Sequence, residues 1–160
     1  MKICMIGSGY VGLVSGACFS DLGNVVLCVD INKEIINKLN KGIVPIYEPG
    51  LHELVARNSK QRRLFFSTDI SNSIKKSDII FICVGTPTKN NKADLKYVFK
   101  VVKNIKSNLN NYKIIVTKST VPVSTGDKIE KILNTKKNKN KFAVVSNPEF
   151  LREGEAIRDF

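Results

Sequence analysis

Three glycines at positions 7, 9 and 12, in the run Ile6-Gly7-Ser8-Gly9-Tyr10-Val11-Gly12, have the spacing that speaks most directly to chemistry. Glycine at the first position permits a tight turn, at the second it lets a diphosphate reach the backbone, and at the third it lets a helix lie close to a strand. Phosphates would then sit over a helix N-terminus, where unpaired N–H groups and the helix dipole favour negative charge. A bare pattern of this kind is weak. It gains force from Asp30, eighteen residues past Gly12 at the end of a second apolar run. A carboxylate there accepts hydrogen bonds from ribose hydroxyls and repels a 2′-phosphate, which selects NAD over NADP. The competing reading of Asp30 is a plain capping residue before the next helix.

Three polar segments each follow an apolar run: Gly85-Thr86-Pro87, Ser119-Thr120-Val121-Pro122 and Ser146-Asn147-Pro148-Glu149-Phe150-Leu151. In doubly wound folds, ligands lie beyond the carboxyl ends of the strands, so these segments are expected to face the cofactor. A hydroxyl such as Thr120 can position water or a substrate oxygen, and a carboxylate such as Glu149 can take a proton or hold a reacting group. Pro, Ser, Thr and Asn also suit turns for purely local reasons, and the pattern alone does not separate the two readings.

The elements that must position these residues alternate. Lys2 to Ile6 reads as a short buried strand, and the apolar period then changes to helical from about Tyr10 to Leu22. Val25 to Val29 is a second strand. Ile35, Ile36 and Leu39 mark a helix stopped by Gly42, and a Pro/Gly-punctuated loop leads to a short helix around His52 to Arg57. Leu64 to Ser67 is a weak strand candidate. Asp69 should cap a brief helix to about Lys75. Asp78 to Val84 is a strongly apolar strand, and a long helix is striped by Leu95, Val98, Phe99, Val102, Ile105 and Leu109. Lys113 to Thr117 and Phe142 to Val145 are further strands, with a helix over about Thr125 to Leu133 between them. This order predicts an α/β fold, a doubly wound parallel sheet of the Rossmann type, as one domain over residues 1–160.

Composition bounds the function. With 160 residues, 42% of them hydrophobic, the chain suits one domain with a real core. No signal peptide or membrane span is read, so the expectation is a soluble, cytoplasmic protein without a membrane partner. Cys4, Cys18, Cys28 and Cys83 lie in apolar runs with no CxxC pair, which suits buried reduced thiols and argues against zinc or a disulfide framework. The net charge of +12 arises entirely after Arg57 and is scattered in Lys/Asn-rich stretches such as Asn134 to Lys141. Without interleaved aromatics or a recognisable motif it reads as a solvated face rather than a nucleic-acid footprint, although a positive field would attract an anionic substrate.

At the level of whole motifs the chain resembles the UDP-glucose/GDP-mannose dehydrogenase family. The matching stretches are Gly7 to Val14, Pro45-Ile46-Tyr47-Glu48-Pro49-Gly50-Leu51, Val84-Gly85-Thr86-Pro87, Lys118-Ser119-Thr120-Val121-Pro122-Val123 and Ser146 to Gly154. They follow the family's order over nearly the whole chain, in the part that precedes the family's sugar-binding domain. The resemblance implies oxidation of the C6 alcohol of UDP-glucose to a carboxylate with two NAD⁺, through a thiohemiacetal and a thioester on a cysteine. GDP-mannose or a UDP-N-acetylhexosamine is the alternative substrate, and a non-catalytic NAD-binding module the alternative role. It further implies that Gly7, Gly9, Tyr10, Val11 and Gly12 contact the pyrophosphate, that Asp30 binds ribose with Lys33 close by, and that Thr86 and Thr120 lie near the nicotinamide. Thr120 would also hold a water. Glu149 would assist hydrolysis, while Glu149, Phe150, Leu151 and Glu153 shape the substrate side.

Two departures set further expectations. Ser124 stands where the family usually has glycine, and its hydroxyl is expected to cap the helix that starts near Thr125. The chain is also expected to lack the last strand of the sheet, the central helix of the family's homodimer and the C-terminal domain with the nucleophilic cysteine, and therefore to be inactive alone. None of the four cysteines matches that nucleophile's motif.

Overall fold

A computed structural model describes residues 1–160. Its elements in order are β1 (Lys2–Ile6), α1 (Tyr10–Asp21), β2 (Val25–Val29), α2 (Lys33–Asn40), α3 (Leu51–Lys60), β3 (Leu64–Ser67), α4 (Ile70–Lys76) and β4 (Ile79–Ile82). A two-residue hairpin follows, β5 (Thr88–Lys89) and β6 (Lys92–Ala93), which the sequence pattern did not suggest. Then come α5 (Lys96–Asn108), β7 (Lys113–Thr117), α6 (Thr125–Leu133), β8 (Phe142–Ser146) and the short α7 (Ala156–Asp159).

The main sheet is parallel throughout, with six strands in the order β3-β2-β1-β4-β7-β8. The chain thus runs outward from β1 to one edge, returns, and runs outward to the other. The reversal lies between β1 and β4, where such sheets open a crevice for ligands. The expectation of a missing strand is corrected here. Leu64–Ser67, weak by pattern because only Leu64 is fully buried, pairs with β2 from Val26↔Leu64 to Val29↔Ser67 and makes the sixth strand.

Two apolar layers sandwich this sheet. On one side Leu13, Val14, Ala17 and Cys18 of α1 meet Ile3, Met5 and Val116, with Leu51 and Val55 of α3 behind them. On the other, Val98, Val101, Val102 and Ile105 of α5 and Ile129 and Leu133 of α6 cover Cys4, Ile6, Ile80, Ile82 and Ile115. Each Val, Leu, Ile or Met among these contributes about 1.5–3 kcal/mol relative to exposure. The helix α1 is buried around most of its circumference, not along one stripe, because α3 and α7 pack on its outer side. On its sheet side Gly16 lets the helix lie close: a Cβ there would stand 2.5 Å from the Cys28 sulfur.

Capping follows the sequence expectation at α4, falls to Asn32 and not Asp30 at α2, and departs from expectation at α6. Asn32 caps α2 by accepting from the Glu34 and Ile35 amides, and Asp69 caps α4 by accepting from Asn72 N. Ser124 does not cap α6. Its backbone is left-handed, at φ 68°, and its side chain accepts no bond from the helix. Glycine suits that position for its backbone freedom, not for any polar contact. No helix is long and apolar enough to cross a membrane.

Candidate cofactor and substrate site

The carboxyl ends of β1, β2 and β4 open a groove of about 280 Å³, floored by Gly7, Gly9, Asp30 and Gly85 and walled by Tyr97 of α5. Its glycine turn is set by close backbone approach. Gly7 has φ +106°, and a Cβ there would lie 2.6 Å from the Cys83 carbonyl oxygen. A Cβ on Gly12 would lie 1.9 Å from the Gly7 carbonyl oxygen, whereas one on Gly9 would meet nothing within 4 Å. The turn is therefore tight underneath and open on top. Tyr10, Val11 and Gly12 begin α1 with N–H groups that find no acceptor in the protein, the ordinary condition of a helix start and the one that suits an anion.

Asp30 sits at the tip of β2 against this turn. One carboxylate oxygen accepts from the Ser8 amide at 2.8 Å, the other from the Asn32 amide at 2.9 Å. The carboxylate is thus fixed by backbone on both sides while it lines the groove, and each oxygen keeps a lone pair for a further donor. Lys33, the first residue of α2, is exposed and outside the groove's lining.

Tyr10 contributes only its backbone here. Its phenol donates to Glu48 Oε2 at 2.5 Å. Glu48, buried at 5% exposure, also accepts from the Gly154 and Ala156 amides, each at 2.8 Å. The Tyr10 hydroxyl, with those amides, holds the Glu48 carboxyl below its usual range. Burial and the Glu48 bond push Tyr10 up to about 12. This clamp ties the first turn of α1 to the segment after Glu149, and residue-by-residue reading assigned Glu48 no part in it. The one sequence signal was that Glu48 lies inside a matched stretch.

The strand-end loops are tied to one another. Thr86 Oγ1 donates to the Thr120 carbonyl at 2.9 Å, and Ser119 Oγ to the Val84 carbonyl at 2.6 Å. Thr86 and Thr120 thereby meet at the ends of β4 and β7, with Thr120 exposed. Glu149, Phe150 and Leu151 come together with Lys118, Asn147 and Phe160 around a second hollow of about 400 Å³ on the α1 side of the sheet. The Glu149 carboxylate accepts from Leu151 N at 2.7 Å, and Phe150 stands 86% exposed. Glu153 is exposed and does not line that hollow.

The thiols offer no nucleophile. Burial pushes Cys4 and Cys83 up to about 12 and Cys28 well above its ordinary value. No group of three His, Cys, Asp or Glu side chains is placed to hold a metal ion.

With this geometry in hand, comparison with known proteins is specific. Residues 1–160 match the model of the UDP-glucose/GDP-mannose dehydrogenase family, NAD binding domain. The chain is 54% identical over 160 residues to the UDP-glucose 6-dehydrogenase TuaD of Bacillus subtilis, covering 99% of this chain and 35% of that protein. It superposes on a UDP-glucose dehydrogenase from Pyrobaculum islandicum with a TM-score of 0.94 at 36% identity, and on a GDP-mannose dehydrogenase from Pseudomonas aeruginosa with 0.92 at 38%. Each superposition covers 99% of this chain and 38% of the other. The chain spans about a third of the length of the curated relatives it matches.

Proposed function

Because the chain belongs to the UDP-glucose/GDP-mannose dehydrogenase family, as its NAD-binding domain, we propose that it serves an enzyme that oxidises the C6 alcohol of UDP-glucose to the carboxylate of UDP-glucuronate. The observation that carries the cofactor half is the coincidence, in one groove, of an open glycine turn and a braced carboxylate, with the unpaired amides that begin α1 next along the chain from Gly9. The substrate half is supported by the 54% identical relative, itself named a UDP-glucose 6-dehydrogenase.

The chain's residues divide the work. The amides of Tyr10, Val11 and Gly12 hold the pyrophosphate, and the helix dipole adds to their pull. Asp30 accepts from the ribose hydroxyls, with Lys33 beside it at the rim. Thr86 and Thr120, bonded at the ends of β4 and β7, flank the position of the nicotinamide, which when bound supplies a hydride acceptor. The Thr120 hydroxyl orders a water. The Glu149 carboxylate, able to take a proton, assists the hydrolytic half of the reaction. Phe150 and Leu151 face the sugar from the hollow they line, and Glu153, exposed outside that hollow, reaches the substrate side only from its edge.

GDP-mannose is the second reading, favoured by the superposition on the Pseudomonas aeruginosa enzyme, whose identity and TM-score nearly equal those of the UDP-glucose enzyme. The full-length protein, supplied with NAD⁺ and each nucleotide sugar in turn, decides between them. The expected result is NADH formation with UDP-glucose, about two NADH for each uronate on the proposed mechanism. Turnover only with GDP-mannose would move the assignment to the second reading, and no NADH with any nucleotide sugar would end both.

A further inference from the structure

Of two buried lysines, Lys113 donates to the Lys75 and Ser77 carbonyls, and Lys118 is the less satisfied. It follows β7 directly and is only 6% exposed. An ammonium has three donors and is costly to bury unless it is paired. No carboxylate pairs with it. The ion pairs of the chain are Arg57–Asp21, Arg152–Asp159 and Arg158–Glu155. The one hydrogen bond that Nζ makes goes to Asn147 Oδ1, at 3.3 Å, and the Phe160 ring centroid lies 6.0 Å away, at the outer limit of a cation–π contact.

The two bonded residues are held in place by the sheet. Lys118 N donates to the Ile82 carbonyl and Asn147 N to the Thr117 carbonyl, so the ends of β7 and β8 bring them side by side. Asn147 begins the turn that carries Glu149, and Lys118, Asn147 and Glu149 line the same hollow. The other charged group lining it, Asp159, is already engaged by Arg152. Electrostatics agree with this placement: Lys118 and Glu149 both act on the half-buried Cys83, with opposite sign.

We propose that Lys118 is a positioning residue for the hydrolytic step, a buried cation that fixes the Asn147–Glu149 turn through Asn147 Oδ1 and sets the orientation of the Glu149 carboxylate. The inference rests on the reading of Glu149 given above. A buried charge is a poor stabiliser, since replacing it with an apolar side chain of similar volume is often neutral or favourable for folding. Its presence here is therefore explained by the turn it holds.

The test uses the full-length protein with NAD⁺ and UDP-glucose. Lys118→Met should lower kcat at least tenfold and leave KM for NAD⁺ within about twofold and the melting temperature unchanged or raised. Lys118→Arg, which keeps a charged donor for Asn147, should recover most of the rate. Asn147→Ala should reproduce the loss, and the double variant should be no slower than either single one, as members of one unit behave. A Lys118→Met enzyme with wild-type kcat overturns the proposal. So does an Arg variant as slow as the Met variant, or a loss of rate that tracks a loss of thermal stability in both. If Lys118→Met does not fold, Asn147→Ala decides alone: wild-type kcat in that variant refutes the inference. Failure of the wild-type enzyme to form NADH would instead refute the function on which it rests.

Discussion

Replacing Gly12 or Gly9 with alanine adds the same methyl group three residues apart, and the structure assigns the two changes opposite signatures. At Gly12 the new Cβ would stand 1.9 Å from a backbone carbonyl oxygen, so helix and turn must part by about 1.5 Å to reach ordinary contact. Overpacking costs typically about 1–3 kcal/mol when side chains can give way. Here the obstacle is backbone, and the Cys83 Cβ at 3.2 Å blocks the alternative, so the expected loss is about 3 kcal/mol. At an m-value of about 2 kcal/mol/M this moves the urea midpoint down by roughly 1.5 M. At Gly9, φ is −75° and nothing lies within 4 Å of the new atom. The folding cost is then only the weaker N-cap, about 1 kcal/mol or less. The methyl projects where the diphosphate must approach, and losing one or two charge-assisted bonds of about 1.5–3 kcal/mol weakens NAD⁺ binding at least tenfold. Urea titration and calorimetric NAD⁺ titration of both variants measure the two axes separately. A Gly9→Ala protein that binds NAD⁺ with unchanged affinity, or a Gly12→Ala protein with unchanged midpoint, would refute this account of the turn.

Asp30→Ala is expected to weaken NAD⁺ binding at least tenfold and NADP⁺ binding much less, read by calorimetry with both cofactors; equal losses would show that the carboxylate only braces the Ser8 and Asn32 amides. Ser124→Gly relieves a left-handed serine at φ 68° and should raise stability by about 1 kcal/mol, or roughly 2–4 °C in Tm by calorimetry, since the side chain makes no capping bond to lose. The buried thiols set an alkaline limit. Cys4 titrates near 12 in the fold against 9.0 when free, so the unfolded chain loses its proton first and stability falls as pH rises from about 9 toward 12. Cys4 and Cys28 should also resist alkylation at pH 8 until denaturant is added, as mass spectrometry of labelled protein would register.

Legibility followed the range of the interactions concerned. The strands were readable because burial on both faces of a parallel sheet makes them continuous apolar runs, and the long helices because packing on one face imposes a period near 3.6; α6 runs over Thr125–Leu133 as the pattern gave it. The strand β3 was faint because an edge strand, paired on one side only, carries a single fully buried residue. The hairpin of β5 and β6 escaped notice because two-residue strands of exposed Thr88, Lys89 and Lys92 bury almost nothing that could leave a pattern. At Ser124 the residue type suggested a cap, and the backbone dihedral, which residue type does not reveal, decided otherwise.

By itself the sequence determined the glycine turn, the acid at the end of β2 and the alternation that makes a parallel sheet, because each depends on neighbours within one turn or one strand. Tertiary structure alone decided that Glu48 joins Tyr10 to amides 106 and 108 residues away, and that Lys118 lies buried against Asn147. Contacts across such separations form only when the sheet brings distant loops to a common edge. No local period or propensity records them.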